Sequence, residues 1–395
     1  MRRRDISKTL FATAIGSAAV GRTAEAQTCS PPCYPQTAAE GAAHVTPVNC
    51  TYPPGTASRY GMIGDATPGV SGTGTDNTAA FNNLLAVCSQ GTGGFIPAGY
   101  YRFASKPNVI GNTCTLRGEA KGWVTLIRDY NETTPTNGFI EANGGALELF
   151  DIYLCAQAGT SGGAGIHLYA QSGGASPDYS RLDGIVVSGY SGTGTWNYAI
   201  YADGSARTSP PGLRDLFING SKFFAATSEI AIFATCNAAN INAGFFPAGG
   251  TATSVRVSGV SGNLSNNVII RAEFLETLNL DYCSYVTVIT STGLQNINNT
   301  TNVSESQVVA PYVFAAQNFW SNSQVIARNA PQTIDGLILT SPAPTALTSG
   351  QVSIGNGTLA TVGSAGSAAA LPSAPAGYLV INIAGVNYEI PYYLS

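Results

Sequence analysis

Asp151, Asp183 and Asp215 recur at intervals of 32 residues, each beside a short apolar run. Paired carboxylates are what glycosidic cleavage uses: one protonates the leaving oxygen, the other acts as base or nucleophile. Retention needs them about 5–5.5 Å apart and inversion about 6.5–9.5 Å. Strands stacked about 4.8 Å apart reach both intervals in one or two steps, so a stacked 32-residue repeat would set the three aspartates in one acid/base column. The competing expectation is that each aspartate sits at a corner and caps backbone N–H groups. Arg181 and Asp183 alternate on one strand and share a face, as do Arg271 and Glu273. Such an Arg serves as a catalytic base, as a clamp for an acidic sugar, or as half of a surface ion pair of little energy. Trp196, Tyr198 and Tyr201 gather with Tyr179 and Tyr190 within 23 residues. Aromatic faces of this kind stack on sugar rings or pack a long loop. His167 reads as an outward polar residue and Asp203 as a turn residue. Cys29-x-x-x-Cys33 has no second pair at ligand spacing, so no metal site is expected.

Strands joined by turns have to carry these residues. The 395-residue chain is 10% charged and 44% hydrophobic, with 46 glycines. Charged residues usually make up about 25%, and long helices favour Ala, Leu, Glu, Lys and Arg, so a helical protein is excluded. Net charge is −4, which excludes charge-driven disorder. No basic stretch lies beyond the N-terminus, so no nucleic-acid partner is expected. From about 145 to 310, alternating runs such as Leu147–Leu154, Gly165–Tyr169, Leu182–Val187 and Val286–Ile289 are separated by Gly/Ser/Asn turns. Short strands without intervening helices predict a solenoid, sandwich or barrel. Cys155, Cys236 and Cys283 fall in apolar runs and read as small core residues.

Residues 1–26 read as an export signal: Arg2, Arg3 and Arg4, an apolar stretch from Leu10 to Val20, then Ala24-Glu25-Ala26 as a cleavage site. Arg3-Arg4-Asp5-Ile6-Ser7-Lys8 follows a twin-arginine pattern. The apolar stretch is too short to span a bilayer. The expected location is therefore periplasmic or extracellular in a bacterium, with no membrane contact after signal removal. Eight cysteines in an exported chain permit disulfides in 105 pairings, and none is assigned. Residues 27–58 form a lead-in without clear period, 336–376 a Pro/Ala/Ser/Gly-rich linker, and 377–395 a β-hairpin.

The block 60–103 is the most specific signal. Tyr60-Gly61 and Gly64-Asp65 are followed by Thr75-Asp76-x-Thr78-Ala79-Ala80-Phe81, then Gly93-Gly94 and Pro97-x-Gly99-x-Tyr101. In order and spacing this resembles the opening of pectate-lyase-like right-handed β-helix proteins. Asp76 is expected to cap a short helix near 76–88, where Phe81, Leu84, Leu85 and Cys88 fall on one face. The resemblance implies an all-β fold: a single-stranded right-handed parallel β-helix over 59–335, with a short capping helix and the C-terminal hairpin. It also implies a secreted polysaccharide-active enzyme, a glycoside hydrolase or a polysaccharide lyase, with Ca²⁺ as cofactor only for a lyase. On that reading Asp151, Asp183 and Asp215 are the catalytic candidates, and Arg181, Trp196, Tyr198, Tyr201, Arg271 and Glu273 bind substrate. The ending Gly377-Tyr378…Pro391-Tyr392-Tyr393 resembles the C-termini of phage tail proteins. That likeness implies a homotrimer through the C-terminus, or a non-catalytic alternative: a carbohydrate-binding protein, adhesin or tail-like receptor binder.

Overall fold

The computed structural model describes residues 33–327, apart from 121, 173–175, 191–192, 208–211, 225–228, 247–253, 300–302, 312 and 317–323, together with the strands Gly377–Ile383 and Val386–Tyr392. The export signal and the 336–376 linker lie outside the described residues. Twenty short strands form one parallel network, and the few helices lie near its N-terminal end. The molecule is thus all-β with a large parallel sheet, an arrangement compatible with a β-helix.

Each pass of the chain lays a strand on the corresponding strand of the pass before. In the first ladder Leu116 pairs with Leu149, Leu149 with Leu182, Leu182 with Ile218, Ile218 with Ile241, Ile241 with Ile270, Ile270 with Val288, and Val288 with Val308. All eight are buried. A second ladder stacks Tyr101, Leu126, Leu154, Val187 and Phe223, and a third stacks Ile140, Ile166, Ile200, Ala231, Val255 and Leu278. Alternation of side chains sends these aliphatics inward and their sequence neighbours outward. Four short steps, from Leu213–Arg214 to Cys283–Ser284, form part of a fourth ladder between the third and the first.

The passes differ in length. Thirty-six residues separate Leu182 from Ile218, but 18 separate Ile270 from Val288. Loops between ladders absorb the difference. The corners turn through left-handed backbone, and non-glycine residues take it repeatedly: Tyr179, Asp215, Ala238, Asn267, Tyr285 and Glu305 all have φ between 50° and 61°. Consecutive members sit on one edge, since the N–H of Tyr179 donates to the Arg214 carbonyl and that of Asp215 to the Asn237 carbonyl.

The helix Thr78–Cys88 covers the first pass. Asp76 holds its start, accepting from the Thr78 N–H at 3.0 Å and the Thr78 hydroxyl at 2.6 Å. Phe81, Leu84, Leu85 and Cys88 are all buried. A file of rings then runs inward, Phe81 to Phe103 (5.2 Å between centroids), Phe103 to Phe139 (5.1 Å) and Phe139 to Trp196 (6.1 Å). The segment before the helix, which carries no sequence period, contains the helix Ala38–Ala42 with a Thr37/Glu40 capping box, and a disulfide joins Cys33 to Cys50. Cys155, Cys236 and Cys283 are buried. At the C-terminus, Gly377–Ile383 and Val386–Tyr392 pair antiparallel.

Candidate functional site

The outward row of the third ladder carries the densest chemistry. Register places Glu141 beside His167, His167 beside Tyr201, and Tyr169 beside Asp203. The strands Gly138–Ala142, Ala164–Tyr169 and Tyr198–Asp203 position these side chains, because Ile140, Ile166 and Ile200 take the inward places next to them. The His167 ring stacks on Tyr169 at 4.6 Å and meets Tyr201 at 5.2 Å, and Tyr201 meets Tyr198 at 5.3 Å. Glu141 is ion-paired with Lys106 and accepts from the Gly138 N–H at 3.1 Å. Asn143 donates to the Tyr169 hydroxyl at 2.7 Å.

His167 is only 9% exposed, and neither ring nitrogen makes a hydrogen bond within the described protein. Its nearest carboxylate contact, Nδ1 to Glu141 Oε1, is 4.0 Å. A buried polar group without a partner costs about 1–3 kcal/mol, and such groups concentrate where a protein does chemistry. Burial pushes His167 down from 6.5 to about 4, outweighing the pull of Glu141 and Asp203, while Lys106 adds to the depression. The ring is therefore neutral at pH 7, offering one donor and one acceptor. Burial likewise pushes the Tyr201 hydroxyl up to about 12, with Asp203 acting in the same direction.

One stability prediction arises at this histidine. The folded His167 has a lower proton affinity than the unfolded one, so the unfolded chain takes up the proton first as pH falls. Stability present above pH 6.5 is lost down to about pH 4, by up to about 3 kcal/mol. Carboxylates held low, such as Asp76 and Asp129, add their loss only near their unfolded values close to pH 4. Urea midpoints between pH 6.5 and 5 should thus slope in the wild type and flatten in His167→Gln. Equal slopes would mean that His167 binds its proton as readily in the folded protein as in the unfolded chain.

The sequence candidates land in several places. Asp151 and Asp183 meet at the corner between the first and second ladders, where the Asp151 N–H donates to the Asp183 carbonyl at 3.0 Å. Asp151 has φ 56°, and Gly184 must lack a Cβ, which would lie 2.7 Å from Asp151 Oδ1. Asp215 sits on the opposite edge of the first ladder, at its corner with the fourth. The 32-residue interval is therefore no structural column, because the passes differ in length. Arg181 pairs with Asp183 at 2.9 Å, and Arg271 donates to Asn240 Oδ1 at 3.0 Å, both on the outward row of the first ladder. Glu273 is exposed at a break in register between Ala272 and Phe274. Trp196 corrects an expectation. It is fully buried, donates to the Ser188 carbonyl at 2.8 Å and lies under the Arg128 guanidinium at 4.1 Å, so it packs the interior and meets no sugar.

Of the expected set, Tyr198 and Tyr201 join the cluster. Glu141, Tyr169, Asp203 and Lys106 do not stand out in the sequence as chemistry. Glu141, His167 and Tyr201 are 26 and 34 residues apart, so a fixed-period search misses them. The usable signal is a polar residue at the outward position beside an inward isoleucine in three successive strands.

Among the described residues no group of three or more His, Cys, Asp or Glu side chains is placed to hold a metal ion. That donor set does not fit the calcium implied for a lyase. Fold and site together define an all-β protein with a large parallel sheet and a buried, unpartnered histidine on one outward row. Compared with protein-family models, curated proteins and solved structures, the chain matches none of them.

Proposed function

We propose that this chain is a right-handed parallel β-helix of the pectate-lyase-like kind, exported, and that it hydrolyses a polysaccharide lying across the third ladder at Glu141, His167 and Asp203. The observation that carries this reading is His167, buried with two free nitrogens in the field of Glu141 and Asp203 and flanked by tyrosine rings. Two ladder steps of about 4.8 Å and a two-residue offset of about 3.3 Å each set the Glu141 and Asp203 Cα atoms ~12 Å apart. Side chains leaning toward each other over His167 bring the carboxyls into the range of about 6.5–9.5 Å that inverting hydrolysis uses. One carboxyl then protonates the glycosidic oxygen and the other activates water. Neutral His167 bonds a sugar hydroxyl, and Tyr198 and Tyr201 supply stacking surface. A homotrimer built through the C-terminal hairpin belongs to the same proposal, since a lone two-stranded sheet is marginal in water.

A second reading, a non-catalytic binder, is favoured by one observation on the other face. Phe150 lies between Arg117 (4.6 Å) and Arg181 (5.4 Å), with Phe95 and Phe217 exposed beside them in the same strip. The deciding experiment incubates the purified protein with acidic and neutral polysaccharides, with and without calcium. It follows new reducing ends, absorbance of unsaturated uronates and the anomer first released. Reducing ends without absorbance and with inverted configuration are expected. Absorbance would replace hydrolysis by elimination, and binding without cleavage would leave the binder.

A further inference from the structure

We propose that Cys88 and Cys114 form a second disulfide when the protein is oxidised, fastening the covering helix to the first ladder. Cys88 is the last residue of the helix Thr78–Cys88, and Cys114 is the first of the strand Cys114–Gly118. Both side chains are 1% exposed. The two thiols lie against each other within hydrogen-bonding reach, and that contact, with burial, raises the Cys114 thiol far above its ordinary value. Packing holds them there: Gly94 has no room for a Cβ, which would lie 2.8 Å from Cys88 Sγ and 2.5 Å from a Leu116 methyl. Cys155, Cys236 and Cys283 owe their raised thiols chiefly to burial instead.

The pair is reachable from one side. A cavity of about 460 Å³ opens at the C-terminal end of the helix, lined by Cys88, Ser89, Thr92, Asn112 and Thr115 among others. It admits a small disulfide such as oxidised glutathione to Cys88, while Cys114 lies behind. The Cys88 thiolate attacks one sulfur of the oxidant, expelling one thiolate and leaving a mixed disulfide. The Cys114 thiolate then attacks Cys88 Sγ and expels the second thiolate. Two electrons pass from the cysteine pair to the oxidant, which leaves as two thiols carrying the two protons. The bond closes the chain from 88 to 114, which narrows the unfolded ensemble and ties the helix to the sheet it covers.

The full-length protein, incubated with oxidised glutathione, is denatured in acid, alkylated with iodoacetamide and digested without reduction. Peptide mapping should find Cys33 linked to Cys50 and Cys88 linked to Cys114, the second pair lacking two hydrogens relative to the free peptides. The Cys33–Cys50 link is the internal control. Finding that link while Cys88 and Cys114 are both alkylated would overturn the proposal, as would Cys88 joined to any other cysteine. In Cys114→Ala, Cys88 should retain a glutathione adduct. An alkylated Cys88 in that variant would refute attack from the cavity.

Discussion

Replacing Arg59 by leucine is expected to cost the fold about 3–5 kcal/mol, the range for breaking a buried ion pair from one side. Arg59 and Glu40 are both fully buried. All five guanidinium donors are used: Nε and Nη2 to the two Glu40 oxygens (2.5 and 3.1 Å), Nη1 to the carbonyls of Tyr34 and Tyr52, and Nη2 also to that of Pro35. Glu40 accepts in addition from the Tyr60 hydroxyl and the Thr37 N–H. Burial alone would raise the Glu40 carboxyl. The bonds from Arg59, Thr37 and Tyr60 outweigh it and hold the group below its usual value. Leucine leaves that carboxylate buried without its cation. Lysine restores the charge but has three donors for five acceptors, so it should recover less than half of the loss. Urea unfolding gives the magnitude, and hydrogen exchange should show the segment 33–60 opening first. A loss of under about 1 kcal/mol for Arg59→Leu would contradict the burial argument.

The second large effect concerns the proposed chemistry. Glu141→Gln keeps the side-chain shape and the bond from the Gly138 N–H but cannot carry a transferable proton. Cleavage should fall by about 10²–10⁴-fold, the usual contribution of a positioned acid or base. Asp203→Asn should fall in the same range. Asp183→Asn and Asp215→Asn, on other edges, should keep activity within about threefold, since surface changes away from a site are nearly neutral. The two sets oppose each other. If Asp183→Asn and Asp215→Asn abolish cleavage while Glu141→Gln does not, the reaction belongs to the first ladder.

The opening block was the legible part of the sequence. The Asp76 cap and the apolar face Phe81, Leu84, Leu85 and Cys88 are local features, set by residues within a few positions of one another, and they appear in the structure. The strand runs were legible too, because alternation survives in Leu147–Phe150 and Phe217–Phe224 whatever they pair with. The stacking of those strands was not. Register is decided by loops of unequal length, so equal intervals between Asp151, Asp183 and Asp215 suggested a column the chain does not build. Trp196 misled for a related reason. Its neighbours Tyr198 and Tyr201 face outward, but Trp196 precedes the strand Tyr198–Asp203 and turns in under Arg128. The Arg59–Glu40 pair was invisible because it joins residues 19 apart across a segment without period.

The unequal passes have a consequence for how such a molecule changes over generations. A ladder step holds whether the loop feeding it is long or short, so insertions are absorbed at the side and leave the axis undisturbed. The inward aliphatics and the left-handed corners are under joint constraint, since each is wedged between the passes above and below. The outward rows answer only to whatever they touch. Ancestry would be recorded in the hidden file of Leu, Ile and Val and in the corner backbone, while overall length and surface chemistry drift freely.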